Sequence, residues 1–239
     1  MSHELRTPLN SIIGFSDLLV DQTFGEISPP QYRECAVDIN DAGKHLLQLI
    51  NDLLDLARIE RGQLSLNEQR LDVGQMLNAC VKLARERAIG SGVQVRLNCP
   101  ADFPPLFGDE LRIKQAVVNL LSNAVKFSDK GLEVTVSAAA TDAGGICLSV
   151  TDQGIGIAQK DLAVALSEFG QVDGSLTRRH EGTGLGPSLS RKLVELHQGR
   201  LELDSQVGVG TTARLLFPKT RTLDAPSPRF RPFVSSTPA

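Results

Sequence analysis

Apolar residues follow two rhythms along the chain. Between residues 29 and 60 they recur at helical spacing, at Tyr32, Cys35/Ala36, Ile39, Ala42/Gly43, Leu46, Leu49/Ile50, Leu53 and Leu56/Ala57. That spacing predicts one long helix with a single apolar seam. Ser28 is placed to cap it, and Pro29 to open it at a position whose N–H has no helical acceptor. The opening stretch carries a matching stripe at Leu5, Leu9, Ile12, Ser16 and Leu19 and stops near Phe24 and Gly25, where glycine lets the chain leave a helix. Two helices joined by a short loop make an antiparallel hairpin, but two helices alone do not enclose both seams. Pairing two hairpins into a four-helix bundle would enclose them, so a homodimer is expected.

After Arg61 and Gly62 the rhythm changes to short alternating runs between helical stretches. Strands are predicted near 64–70, 93–99, 132–139, 146–151, 200–205 and 211–217, and helices near 73–89, 109–127 and 189–197. The expected fold is multidomain, α and α+β: a helical hairpin over 1–61, a mixed domain over 62–218, and a Pro-, Ser-, Arg- and Thr-rich disordered tail over 219–239.

Composition narrows the function. The chain of 239 residues carries a net charge of −3, with 41% apolar and 22% charged residues. A nucleic-acid partner held by a basic surface is therefore not expected. Cys35, Cys80, Cys99 and Cys147 lie too far apart for a paired metal site and read as reduced, mostly buried thiols. No apolar run reaches the ~20 residues of a membrane span, so a soluble, cytoplasmic chain is expected, with any membrane attachment lying upstream of it.

Two groups of residues suggest chemistry. In the opening "SHELRTPLN", Pro8 cannot donate to the Glu4 carbonyl, so a bend is expected one turn after His3. Thr7 lies over His3, and Asn10 and Gly14 continue that polar face, which a partner protein could approach closely. A neutral imidazole is a nucleophile toward phosphorus, and a neighbouring carboxylate such as Glu4 can orient the ring and take its proton. On the helix near 109–127, Asn119, Asn123 and Lys126 form a polar line suited to Mg²⁺ and phosphate oxygens, extended by Arg112 and Gln115. "SVTDQGIGIA" ends a strand at Asp152, placed to accept a hydrogen bond from an exocyclic amine, and Gly154 and Gly156 allow close approach to a flat ring. "HEGTGLGPSLSRK" sets Gly182, Gly184 and Gly186 before a helix N-terminus, which favours phosphate. His45 is expected in solvent, His180 in the glycine-rich loop, and His197 at a helix C-terminus where imidazole suits the dipole.

"SHELRTPLN", "NLLSNAVKFS", "DQGIGI" and "EFGQVDGSLTRRHEGTGLG", in that order, resemble the H, N, G1, F and G2 boxes of two-component sensor histidine kinases. The resemblance implies a dimeric phosphoacceptor hairpin followed by a Bergerat-type α/β sandwich that binds ATP, as in gyrase, Hsp90 and MutL. It implies that His3 is phosphorylated, Glu4 is its acid–base partner and Thr7 orients water in a reverse phosphatase reaction. Asn123 would hold Mg²⁺, with Asn119 and Lys126 near the phosphates and Phe127 beside the nucleotide. Asp152 would read the adenine amine. Gly154, Gly156, Gly182, Thr183, Gly184, Leu185 and Gly186 would shape the pocket and its lid, and Arg178 and Arg179 would reach the γ-phosphate. The implied partner is a response regulator receiver domain.

The chain departs from the family pattern at Leu166 and Glu168, where Phe and Pro are usual, at Pro187 for leucine, and at Gln198 for glycine. It also begins two residues before the histidine, which is expected to weaken the dimer. Two rival readings follow. A catalytically weak scaffold that docks a response regulator would fit the departures. A gyrase-like ATPase is opposed by Asn119, which stands where such enzymes carry a water-activating glutamate.

Overall fold

The computed structural model describes residues 2–23, 25–170 and 184–223, leaving aside the side chains at 2–6, 8 and 87. The chain divides into two compact units, Met1–Ser65 with Gln159–Leu193, and Leu66–Ala158 with Val194–Ala239.

The first unit is built on the hairpin of α1 (Ser2–Val20) and α2 (Gln31–Glu60). Helix α1 runs unbroken through Pro8. Helix α2 begins after Pro30 with no side-chain cap, so Ser28 does not serve as the cap that its position predicted. The two helices approach closely because the facing residues are small: a methyl group at Gly43 would stand 2.9 Å from Ile13 Cγ1. Leu9, Ser16, Ala36, Asn40 and Leu56 are buried. Asn40 Nδ2 donates to Ser16 Oγ at 3.0 Å and to Asp17 Oδ1 at 2.7 Å, which satisfies a buried amide between the helices.

The expected single seam is in fact two rows. Ile12 and Leu19, read as seam residues, are about half exposed, as are Tyr32, Ile39, Leu46 and Leu53, spaced seven apart on α2 at 49–63% exposure. Small and polar residues fill the space within one hairpin, leaving the larger apolar row outside it. The 3₁₀ turn Gln159–Asp161, α5 (Leu162–Ala165) and most of α6 (Gly186–Leu196) belong to this unit too. Pro187 falls in the first turn of α6, where its missing N–H costs no helical bond.

In the second unit, β1 (Gln69–Leu71) pairs antiparallel with β3 (Leu106–Gly108). A five-stranded sheet has the order β2-β4-β5-β7-β6, formed by Gln94–Asn98, Glu133–Ala140, Ile146–Thr151, Gly210–Phe217 and Arg200–Gln206 respectively. Only the β2–β4 pair is parallel. Helices α3 (Val73–Ser91) and α4 (Glu110–Lys126) pack together and against this sheet. Period-two burial supplies the core with Val134, Val136, Ala138, Ile146, Leu148, Val150, Ala213, Leu215 and Phe217, facing Ile113, Val117, Leu120 and Leu121 of α4. Each such side chain contributes ~1.5–3 kcal/mol on burial.

Strand β3 was not foreseen, and the first strand is shorter than 64–70 predicted. The chain past Pro218 is also ordered further than expected: Lys219–Arg221 forms a 3₁₀ turn, the buried Arg221 pairs with Glu68, and Leu223 N–H donates to Pro105 O. The rest of the expected tail lies outside the described residues. His197 directly follows α6, at the helix C-terminus as expected, but it is fully buried and its Nε2 accepts the Asp109 N–H at 3.0 Å. Gln198 adopts a φ of 60°, the left-handed conformation that explains glycine as the usual residue there. Cys80 is buried but Cys35 is exposed, so the thiols are less uniformly buried than expected.

Asp52 lies buried on α2, where desolvation pushes its carboxyl up from 3.8 to about 6 despite a hydrogen bond from Gln48 at 2.7 Å. A raised folded pKa means that this group favours folding most below pH 3.8, and that the contribution is lost as pH rises through about 6. Asp52→Asn is expected to be more stable than the parent at pH 7.5 and equal to it near pH 4, as measured by urea unfolding; equal midpoints at both pH values would contradict the burial argument.

Candidate nucleotide site

Helix α4 starts from Asp109, whose Oδ1 accepts Arg112 N–H and whose Oδ2 accepts Asn67 N–H at 2.8 Å. With His197 taking the Asp109 N–H, three elements fix where this helix begins. The buried stripe of Val117, Leu120, Leu121 and Ala124 turns the helix so that Asn119, Asn123 and Lys126 lie along a half-buried face. Asn119 Nδ2 is buried and has no hydrogen-bond partner among the described residues. An orphaned buried donor costs ~1–3 kcal/mol, a cost expected where a ligand supplies the missing acceptor. Lys126 Nζ sits 5.1 Å from the centre of the Phe127 ring, at the end of the helix.

The turn after β5 is locked onto that end. Ile155 N–H donates to Phe127 O at 3.2 Å, and a side chain at Gly154 would overlap the same carbonyl. Gly156, at φ +67°, leaves no room for a Cβ beside Gln206 O, and Gly208 N–H donates back to Ile155 O at 2.8 Å. Asp152 Oδ1 accepts Gly154 N–H at 2.9 Å and Thr211 N–H at 3.1 Å. Burial raises the Asp152 carboxyl above its ordinary value, against the pull of these two donors. With both bonds on Oδ1, the whole carboxylate has a fixed orientation.

Sequence reasoning did not find the residues that brace this loop. Ser205 Oγ accepts Ile157 N–H at 2.7 Å and donates to Gly210 O at 2.9 Å. Gly210, at φ +130°, has no space for a side chain against Asp152 O. The "GVGTT" run in 208–212 was the available signal, and its meaning depends on a hairpin whose register only the fold reveals.

Other anticipated site residues belong to the first unit or lie outside the described residues. Gly184, Leu185 and Gly186 belong to the first unit, where Gly184, at φ +67°, rests against the backbone of Phe169 and Gly170. Leu185 is buried, and Gly186 opens α6. Arg178, Arg179, His180, Gly182 and Thr183 lie outside the described residues, as do the side chains of His3 and Glu4; Thr7 is exposed on α1. Among the described residues no group of three His, Cys, Asp or Glu side chains could hold a metal, and no helix is long and apolar enough to cross a membrane.

Comparison with known proteins gives the family. Residues 1–62 match the His Kinase A (phospho-acceptor) domain, and residues 108–221 match the histidine kinase-, DNA gyrase B- and HSP90-like ATPase family. The chain belongs to the two-component sensor histidine kinases. This histidine kinase core is 41% identical, over 91% of its length, to the "Non-motile and phage-resistance protein" of Caulobacter vibrioides, of which it spans 26%. It is 38% identical, over 93% of its length, to the "Cell-division control histidine kinase PdhS" of Brucella ovis, of which it spans 22%. The chain thus spans about a quarter of these curated relatives. Full-length ShkA, solved with AMPPNP, superposes on 94% of the chain with a TM-score of 0.77 at 30% identity, the match covering 45% of ShkA. The Acinetobacter baumannii histidine kinase AdeS shares the fold over 92% of this chain and 98% of its own, with a TM-score of 0.62 at 21% identity.

Gly154→Ala is expected to force the loop away from Phe127 and to lower stability by ~1–3 kcal/mol, together with weaker binding of a fluorescent ATP analogue. Unchanged unfolding and unchanged binding would mean that the loop is not locked as described.

Proposed function

We propose that the chain is the kinase core of a longer sensor protein, which phosphorylates His3 from ATP and passes the phosphoryl group to an aspartate of a response regulator. Residues 1–61 serve as the dimerisation and phosphoacceptor hairpin and residues 62–218 as the ATP-binding domain, working in the cytoplasm. The observation that carries this reading is the Asp152 carboxylate, pinned at one oxygen beside the loop that is locked to the end of the asparagine-bearing helix. The orphaned Asn119 donor and the glycines without room for a Cβ fit a nucleotide with its phosphates near α4.

In the first step, the His3 imidazole nitrogen forms a bond to the γ-phosphorus as the bond to the bridging oxygen of ADP breaks, and Glu4 receives the imidazole proton. In the second, the phosphoryl group moves from nitrogen to a receiver carboxylate. Thr7 positions water for the reverse hydrolysis of the phosphorylated regulator. Asp152 accepts the adenine amine, Phe127 packs beside the base, and Asn119, Lys126 and lid residues Arg178, Arg179, Gly182, Thr183, Gly184, Leu185 and Gly186 enclose the phosphates. Asn123 would hold Mg²⁺, which would supply charge neutralisation at the transferring group. The exposed row of Tyr32, Ile39, Leu46 and Leu53 supports a homodimer, because it is apolar, continuous and spaced for a helical bundle.

Incubation with γ-labelled ATP tests the reading. The parent chain is expected to take acid-labile label, His3→Gln none, and Asn123→Ala at least ~100-fold less, about 2.7 kcal/mol or more of transition-state stabilisation. Full labelling of His3→Gln would overturn the assignment.

A further inference from the structure

Within the second unit, His197 carries a fully buried imidazole that the chemistry described above does not use. Its ring is wedged among uncharged neighbours. Phe217 of β7 meets it edge-on, with ring centroids 6.2 Å apart, and a methyl group at Gly108 of β3 would stand 3.0 Å from His197 Cδ2 and 2.8 Å from Ile113 Cδ1 of α4. In that confined position Nε2 accepts the backbone N–H of Asp109, the capping residue of α4, at 3.0 Å. An imidazole nitrogen that accepts a hydrogen bond carries no proton of its own. The bond therefore exists only while the ring is neutral, with its hydrogen on Nδ1.

We propose that His197 is a positioning residue for nucleotide binding: its neutral imidazole fixes the start of α4, and protonation of Nε2 releases that start. The proposal rests on the nucleotide reading above. Helix α4 bears Asn119, Asn123 and Lys126 toward its far end, where Ile155 N–H holds the carbonyl of Phe127. With its cap tied to His197 and its end tied to the loop, the polar face has one axial position. The Asp109 N–H has no helical acceptor, so a protonated ring would set two donors against each other in a buried space. The charged groups on the surrounding elements are engaged elsewhere. Asp109 accepts the Arg112 and Asn67 N–H groups, Glu110 pairs with Lys114 at 2.6 Å, Arg112 Nη1 donates to Gln115 at 2.9 Å, and Arg214 of β7 lies 3.4 Å from Asp204. Glu195 stands two residues before the ring, in the last turn of α6. An unfolded chain takes up an imidazole proton at about pH 6.5, whereas the folded chain must give up the Asp109 bond to do so. The anchor is therefore fully present above that pH and weakens as pH falls below it.

The test compares the full parent chain with His197→Gln, whose side-chain oxygen can accept the same N–H at either pH, and His197→Met, which removes the strong acceptor. Affinity for a fluorescent ATP analogue is measured at pH 8 and pH 5.5. Protonation of Asp152 and of the analogue's phosphates acts on all three proteins alike, so the quantity read is the ratio of the two dissociation constants. The parent's loss of affinity on acidification is expected to exceed that of His197→Gln by about fivefold. At pH 8, His197→Met is expected to bind about fivefold more weakly than the parent, with faster hydrogen exchange across residues 109–113, and His197→Gln to restore both. Nitrogen-15 NMR of the parent imidazole at pH 8 should show a bare Nε2 and a protonated Nδ1. Equal ratios in the parent and His197→Gln would overturn the proposal, as would a ring that carries its hydrogen on Nε2. The tautomer and the exchange are read without nucleotide. A parent that binds no analogue at either pH therefore defeats the nucleotide reading and the role in binding with it, while a bare Nε2 still upholds the anchor itself.

Discussion

The geometry of the candidate site turns on one joint, the hydrogen bond from Ile155 N–H to the carbonyl of Phe127. It ties the turn after β5 to the end of α4 and is possible only because Gly154 has no side chain to strike that carbonyl. Given this joint, the Asp152 carboxylate and the polar face of α4 cannot move independently. The bonds from Gly154 and Thr211 then orient the carboxylate. Ser205 braces the far side of the same loop from the β6–β7 hairpin. If one nucleotide is to meet both this carboxylate and the polar face of α4, as proposed, their spacing must stay constant, and backbone hydrogen bonds with glycine contacts are a stiff means of holding it.

The hairpin solves a different problem. Its two helices touch through Gly43, packed on Leu9 and Ile13, and a satisfied polar layer, Asn40 with Ser16 and Asp17, while the row of Tyr32, Ile39, Leu46 and Leu53 stays outside. A buried amide contributes less to stability than a leucine would, but it accepts few alternative alignments of the helices. The apolar row of α2 is left exposed, where the proposed homodimer would cover it. Desolvation of Asp52 adds a stability cost at neutral pH on the same helix.

Much of this was legible in the sequence because it is local. The heptad rhythm of α2, the period-two runs of β4, β5 and β7, and the line of Asn119, Asn123 and Lys126 each follow from spacing along one element. What escaped depends on pairing between elements. The division of the apolar seam into an inner and an outer row follows from how closely Gly43 lets α1 approach. His197 reads only as a histidine at a helix C-terminus until the fold brings the Asp109 N–H to its Nε2. The bracing roles of Ser205 and Gly210 exist only in the register of β6 with β7, and the order around Arg221 requires Glu68, far away in sequence.

The central claim is that a carboxylate of fixed orientation selects the base. The direct measurement is calorimetric titration of the chain with ATP and with inosine triphosphate, which lacks the exocyclic amine, repeated on Asp152→Asn. A charged hydrogen bond of ~1.5–3 kcal/mol predicts that the parent prefers ATP by roughly ten- to a hundredfold and that the preference collapses in the variant. Equal affinity of the parent for both nucleotides would contradict the account.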